Sequence, residues 1–165
     1  MNYRCEETYH EESKNIKRIV LGSGRSYYVY RNDKPYLMIE VRLFDYFSDA
    51  VFFHDYFVIG NFYEGVYIIN LLDLKVTHKD ISGYFGRFVI IDDSLYVLGC
   101  ENITAFDSCM NEKWISDDIA VDGVLLKEIE GDAIIVSCEM DPPGGWVNKR
   151  ISLSSGKLIS SESSD

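Results

Sequence analysis

No run of 18 apolar residues occurs in this 165-residue chain, so nothing in it reads as a membrane-spanning helix. Only 3 prolines are present, which leaves long stretches free to pair as strands. His10, His54 and His78 stand alone, and neither HExxH nor GxSxG occurs. A zinc-protease helix and a nucleophile elbow are thereby excluded. Gly22-Ser23-Gly24 lacks the third glycine and the following helical pattern of a phosphate-binding loop, so it reads as a hairpin turn. The four cysteines (Cys5, Cys100, Cys109, Cys138) contain no CxxC pair, and reduced thiols without metal are expected. No cofactor is expected. Residues 1–15, MNYRCEETYHEESKN, lack the apolar core of a secretory signal, and a cytoplasmic location is expected.

Positive charge is also scarce. The chain has 16 Lys and Arg against 27 Asp and Glu, giving a net charge of −11 and a pI near 4.6. Phosphate would be repelled, so nucleic acid is not an expected partner. The imbalance is local. Residues 92–141 hold thirteen acids and only Lys113 and Lys127 as bases, while the remainder carries 14 of each sign.

What the chain does have is aromatic and β-branched residues in short alternating runs. Residues 88–116, FVIIDDSLYVLGCENITAFDSCMNEKWIS, divide into four runs of three to six residues. Asp92-Asp93-Ser94, Gly99 and Asp107-Ser108 separate them. Runs of this length broken by Asp, Gly and Ser are the signal for strands and tight turns. A similar pattern lies before it, around Phe57, and after it, around Ala133. Gly60, Gly99 and Ser137 align the three at spacings of 39 and 38 residues. Four strands repeating near every 40 residues predict blade-like units. Cys100 and Cys138, each next to an aligned position, are expected at the same place in successive units.

The segment LYVLGCENITAFDSCMNEKWIS resembles a blade of the quinoprotein-type (PQQ-like) or YVTN-like β-propellers. A strand ending in Gly99, a strand ending in Phe106-Asp107 and a final strand with Lys113 and Trp114 carry the likeness. Met110-Asn111 departs from the family's glycine turn, and no cofactor-binding residues of the family are found. The resemblance implies an all-β fold of antiparallel four-stranded meander repeats, a small or partial β-propeller-like array. The expected organisation is a flexible charged arm over 1–15, a single all-β domain over 16–161 and a tail over 162–165. Repeat units are expected near 16–47, 48–82, 86–118 and 121–161.

With no catalytic constellation, the expected role is a non-catalytic protein–protein interaction domain. Complementary charge speeds encounter and excludes wrong partners, so the acidic stretch points to a basic protein. Candidate partner-binding acids are Asp117, Asp118, Asp122, Glu128, Glu130 and Asp132. Candidate anchors in or beside turns are Phe62, Tyr63, Glu64 and Trp146, since aromatics inside a polar rim are typical hot spots. Tyr84-Phe85 is a further aromatic pair between repeats. Nuclease toxins are basic because they bind phosphate. An acidic immunity protein against such a toxin, of the contact-dependent growth inhibition type, is therefore the expected class. The alternative is a propeller-like scaffold or sensor subunit of a larger complex.

Overall fold

The computed structural model describes residues 2–8, 16–43 and 47–163. It contains sixteen strands and, among the described residues, no helix. No helix is therefore long and apolar enough to cross a membrane. Packing divides the chain into two compact units, Met1–Asp45 and Tyr46–Asp165. A single domain over 16–161 was expected.

The first unit is one sheet in the order β1-β3-β4-β2, made of β1 (Tyr3–Thr8), β2 (Lys17–Val20), β3 (Arg25–Arg31) and β4 (Lys34–Val41). Two expectations are corrected here. Tyr3–Thr8, placed in a charged arm, pairs in register with β3 from Tyr3 opposite Arg31 to Glu7 opposite Tyr27. Polar residues are no bar to an edge strand, because backbone groups do the pairing. Residues 9–15 lie outside the described residues. Gly22-Ser23-Gly24 is not a hairpin turn, since β2 pairs with β4, and in parallel. The connection needs glycine because a Cβ on Gly22 would lie 2.8 Å from the backbone nitrogen of Arg42. One face of the sheet is buried through Tyr27, Val29, Leu37, Ile39 and Val41. Alternate residues form a polar face, where the Arg4 guanidinium lies 3.8 Å over the Tyr30 ring.

The second unit is a propeller-like series of three antiparallel four-stranded sheets. The first comprises β5 (Ser48–Phe53), β6 (Tyr56–Asn61), β7 (Gly65–Asn70) and β8 (Val76–Lys79). The middle sheet comprises β9 (Phe85–Ile91), β10 (Ser94–Gly99), β11 (Ile103–Phe106) and β12 (Glu112–Ile115). The last comprises β13 (Val124–Glu130), β14 (Ala133–Glu139), β15 (Trp146–Ser152) and β16 (Leu158–Ser163). β16 includes residues 162–163, expected in a tail, while 164–165 lie outside the described residues.

Period-two alternation explains how the sheets stack. On β10, Leu95 and Val97 enter one core with Val58, Val66, Phe85 and Phe106. Tyr96 and Leu98 enter a second core with Val124, Ile134, Val136 and Cys138. The middle sheet is therefore apolar on both faces, and every residue of β10 is buried. Trp114 links the last two sheets, its indole N–H donating to the Leu153 carbonyl at 3.0 Å.

The register between repeats differs by one residue from the alignment on glycines. The first hairpin turn of each sheet has one residue at positive φ: His54 (50°), Asp92 (50°) and Gly131 (58°). The strand pairs closing these turns, Phe53 with Tyr56, Ile91 with Ser94 and Glu130 with Ala133, agree. Gly60 is therefore equivalent to Leu98 and Ser137, and Gly99 to Asn61 and Cys138. The shift is one of composition, since glycine is the fifth residue of β6 and the sixth of β10; the bulge between Leu98 and Gly99 places its extra residue, Gly86, on β9. Cys100 and Cys138 accordingly do not share a position. At the last turns, Leu74 (φ 63°), Met110 (60°) and Gly156 (71°) take the left-handed conformation, so Met110 stands where the repeat can use glycine.

Gly60 has a separate reason to be glycine. The Phe85 ring lies over it, and a Cβ there would approach ring carbons to 2.2 Å. Gly60→Ala is expected to destabilise the protein by about 1–3 kcal/mol through overpacking. The cost should shrink in a Phe85→Leu background. Urea denaturation of the two single variants and the double variant measures both numbers, and an unchanged cost would separate Gly60 from that ring.

Candidate functional site

The second strands β6, β10 and β14 run in the same sense, so the connections that follow them gather at one end of the unit. Backbone hydrogen bonds fix them there. Phe85 N–H donates to the Phe62 carbonyl (2.9 Å) and Cys100 N–H to the Tyr84 carbonyl (2.9 Å). Gly123 N–H donates to the Cys100 carbonyl (2.7 Å), and Glu139 N–H to the Gly123 carbonyl (3.1 Å). Between these segments lies an open cavity of about 790 Å³. That is within the ordinary range for ligand sites.

Its lining is aromatic on several sides. Phe47, Phe62 and Tyr84 pack on one another with centroids 4.9–5.5 Å apart, and Tyr63 packs on Phe62 at 4.0 Å. Trp146 supplies another wall. Tyr63 is 71% exposed and Phe47 50% exposed, an unusual state for large rings grouped at one place. A Cβ on Gly123 would sit 3.4 Å from the Tyr84 hydroxyl and 3.9 Å from the Trp146 ring, so its absence keeps the space between those rings open.

The charged lining residues are Asp122 and Glu139, with no Lys, Arg or His among them. The Tyr84 hydroxyl donates to Asp122 Oδ1 at 3.0 Å, and the Cys100 thiol lies 3.7 Å from the same oxygen. Glu139 Oε1 accepts the Gly144 N–H at 2.8 Å, tying the 140–145 loop to β14. Burial first, and the bond to Asp122 second, hold the Tyr84 phenol well above its ordinary range. The same two influences, burial and the Asp122 charge, raise the Cys100 thiol. Cys138, deeper in the core, is pushed up to about 11 by burial. At Cys138 burial outweighs the opposing Lys149 charge. Among the described residues no group of three His, Cys, Asp or Glu is placed to hold a metal ion.

Of the ten residues singled out in the sequence, four meet at the cavity: Phe62, Tyr63, Asp122 and Trp146. Glu64 is adjacent, but its carboxylate accepts from Asn61 Nδ2 (2.9 Å) and the Tyr67 hydroxyl (3.1 Å). Asp117 and Asp118 are exposed on the connection from β12 to β13, with Asp118 3.4 Å from Asn102 Nδ2. Glu128, Glu130 and Asp132 are exposed toward the opposite end of the last sheet, where Glu130 pairs with Arg150. At about 3.3 Å per residue, β13 separates Glu130 from Val124 by roughly 20 Å. The acids therefore form two groups. Sequence reading missed Phe47, Gly123 and Glu139 as wall residues. It paired Tyr84 with Phe85, of which only Tyr84 reaches the cavity; Phe85 is wholly buried over Gly60.

No protein-family model matches the sequence, and no curated protein matches it. Solved structures do resemble the fold. Hydrazine synthase of Kuenenia stuttgartiensis aligns with a TM-score of 0.55 at 13% identity, over 95% of this chain and 53% of that one. KlHsv2 with loop 6CD replaced by a Gly-Ser linker gives 0.54 at 12% identity, over 82% and 45%. The computationally designed Ika4 protein gives 0.51 at 11% identity, over 75% and 77%. The chain thus spans about half the length of the first two. At such identities the likeness is one of fold.

The shielded Tyr84 phenol has a consequence at high pH. Its pKa is raised in the folded state, so from about pH 10 upward the unfolded chain ionises this group first and stability falls. Tyr84→Phe removes that contribution. The drop in urea midpoint between pH 9 and pH 11 should be smaller in Tyr84→Phe than in wild type, and an equal drop would contradict the burial.

Proposed function

We propose that the chain is a non-catalytic protein–protein interaction domain that binds a basic protein, most specifically an acidic immunity protein that neutralises a nuclease toxin of the contact-dependent growth inhibition type. The observation that carries this reading is the neighbourhood of the cavity. Exposed Asp117, Asp118 and Asp122 lie along the connection that forms one of its walls, and its charged lining is acidic only. Clustered charge of one sign raises the encounter rate with an opposite surface, and aromatic rings in a concave site supply anchors. Glu128, Glu130 and Asp132 lie farther along the last sheet, where Lys127, Lys149 and Arg150 offset Glu128 and Glu130, so docking rests on Asp117, Asp118 and Asp122. A nuclease that grips phosphate through a basic cleft would present the complementary surface.

Charge reversal separates docking from solubility. With a basic nuclease toxin as the immobilised partner, Asp117→Lys/Asp118→Lys/Asp122→Lys should slow association about tenfold or more at low salt. The difference should narrow as salt rises. The Asp117→Lys/Asp118→Lys double variant leaves the Tyr84–Asp122 bond in place, so its denaturation should stay within about 0.5 kcal/mol of wild type while its association also slows. Cells carrying the nuclease should be protected by wild type and poorly by the triple variant. Equal binding and equal protection by both proteins would reduce the acids to a solubility feature and remove the proposal's support.

A further inference from the structure

We infer that the cavity where the connections of the three sheets of the second unit meet is a receptor for an arginine side chain presented by the basic partner, a step that rests on the interaction reading above. The lining sets a problem that only a cation solves well. Any group covering the site removes water from Asp122 and Glu139, the two carboxylates in its wall. An apolar anchor would remove water from both while adding no partner to the Tyr84, Cys100 and Gly144 contacts they already accept. A cation offsets that cost and gains from the ring faces at the same time.

Geometry favours guanidinium over ammonium. The Trp146 ring and the Tyr84 hydroxyl stand on either side of the open space at Gly123, and Tyr63 projects at the rim. A planar cation can stack on a ring face while its edge N–H groups reach carboxylates, which a compact ammonium cannot do simultaneously. Asp122 is already oriented for this. Its contacts from Tyr84 and Cys100 both fall on Oδ1, and they hold the carboxylate against the wall. Glu139 is likewise held through Oε1 by Gly144. Preset acceptors of this kind favour a bidentate donor. The aromatic wall is equally fixed, because Phe47, Phe62 and Tyr84 pack on each other rather than on the open space.

The test uses the full chain and a small probe, so it is independent of any partner protein. N-acetylarginine amide is titrated into 15N-labelled protein at low salt while the indole N–H resonances are followed. Trp146 should shift in a saturable way with a millimolar-range dissociation constant. Trp114, whose indole N–H is bonded to Leu153, should stay in place and report that the fold is unchanged. N-acetylcitrulline amide has nearly the same shape without the charge, and it should shift Trp146 little. Asp122→Asn should weaken arginine binding about threefold or more. Absence of a saturable Trp146 shift, or an equal response to the citrulline probe, would overturn the assignment. In that event a basic nuclease could still dock on the acids. Conversely, a positive titration with no nuclease neutralised would retain the arginine receptor and reject the immunity role.

Discussion

The second unit depends on one strand being buried on both faces. β10 sends Leu95 and Val97 into one core and Tyr96 and Leu98 into the other, so neither core can form without it. Such a strand cannot slip by one residue, because a slip would exchange all four side chains between cores of different shape. The exchange would also move Leu98 onto the face that contacts the first sheet. There the partner position is already filled by the Phe85 ring over Gly60. Register, sheet order and stacking are in this sense one constraint.

The cavity follows from that stacking and from a difference between otherwise equivalent connections. Tyr84 and Gly123 each accept the N–H of the seventh residue counted from the start of a second strand, Cys100 and Glu139 respectively. In one place the repeat carries a phenol and in the next it carries no side chain. The space left at Gly123 is what Tyr84 and Trp146 border. A propeller-like array offers many such gaps between sheets, and most are filled by core residues. This one remains open because its connection residue is glycine and its neighbouring rings pack sideways on one another.

Much of this was legible from the sequence, and the failures have local causes. The runs around Phe57, Leu95 and Ala133 alternate cleanly and end in Asp, Asn, Gly or Ser, so their strands and turns were readable. Matching glycine to glycine misplaced Gly99 because glycine is the fifth residue of β6 but the sixth of β10, whereas the turn residues that do align, His54, Asp92 and Gly131, share no side-chain type. The parallel pair β2–β4 was hidden because period-two alternation says nothing about strand direction. At the site, Trp146 and Tyr63 announced themselves as large rings beside turns. Tyr84 and Phe85 are neighbours in a short connection, and only the fold decides which one turns inward. Glu139 looked like one acid among thirteen until the 140–145 loop brought it to the cavity.

The two groups of acids differ in what they can do. Screening confines the influence of an exposed charge to about 8 Å at physiological ionic strength. Glu130, paired with Arg150, and Asp132 lie roughly 20 Å away along β13 and therefore add little at the cavity itself. Asp122 is different, because it lies in the cavity wall, where a bound group would displace its water. Steering changes association rates, and desolvated contacts change dissociation rates. The exposed acids and the aromatic cavity are thus separable in kinetics even though they share one surface. A partner that relied on the field alone would bind quickly and leave quickly. Prolonged binding requires something that fills the space beside Trp146.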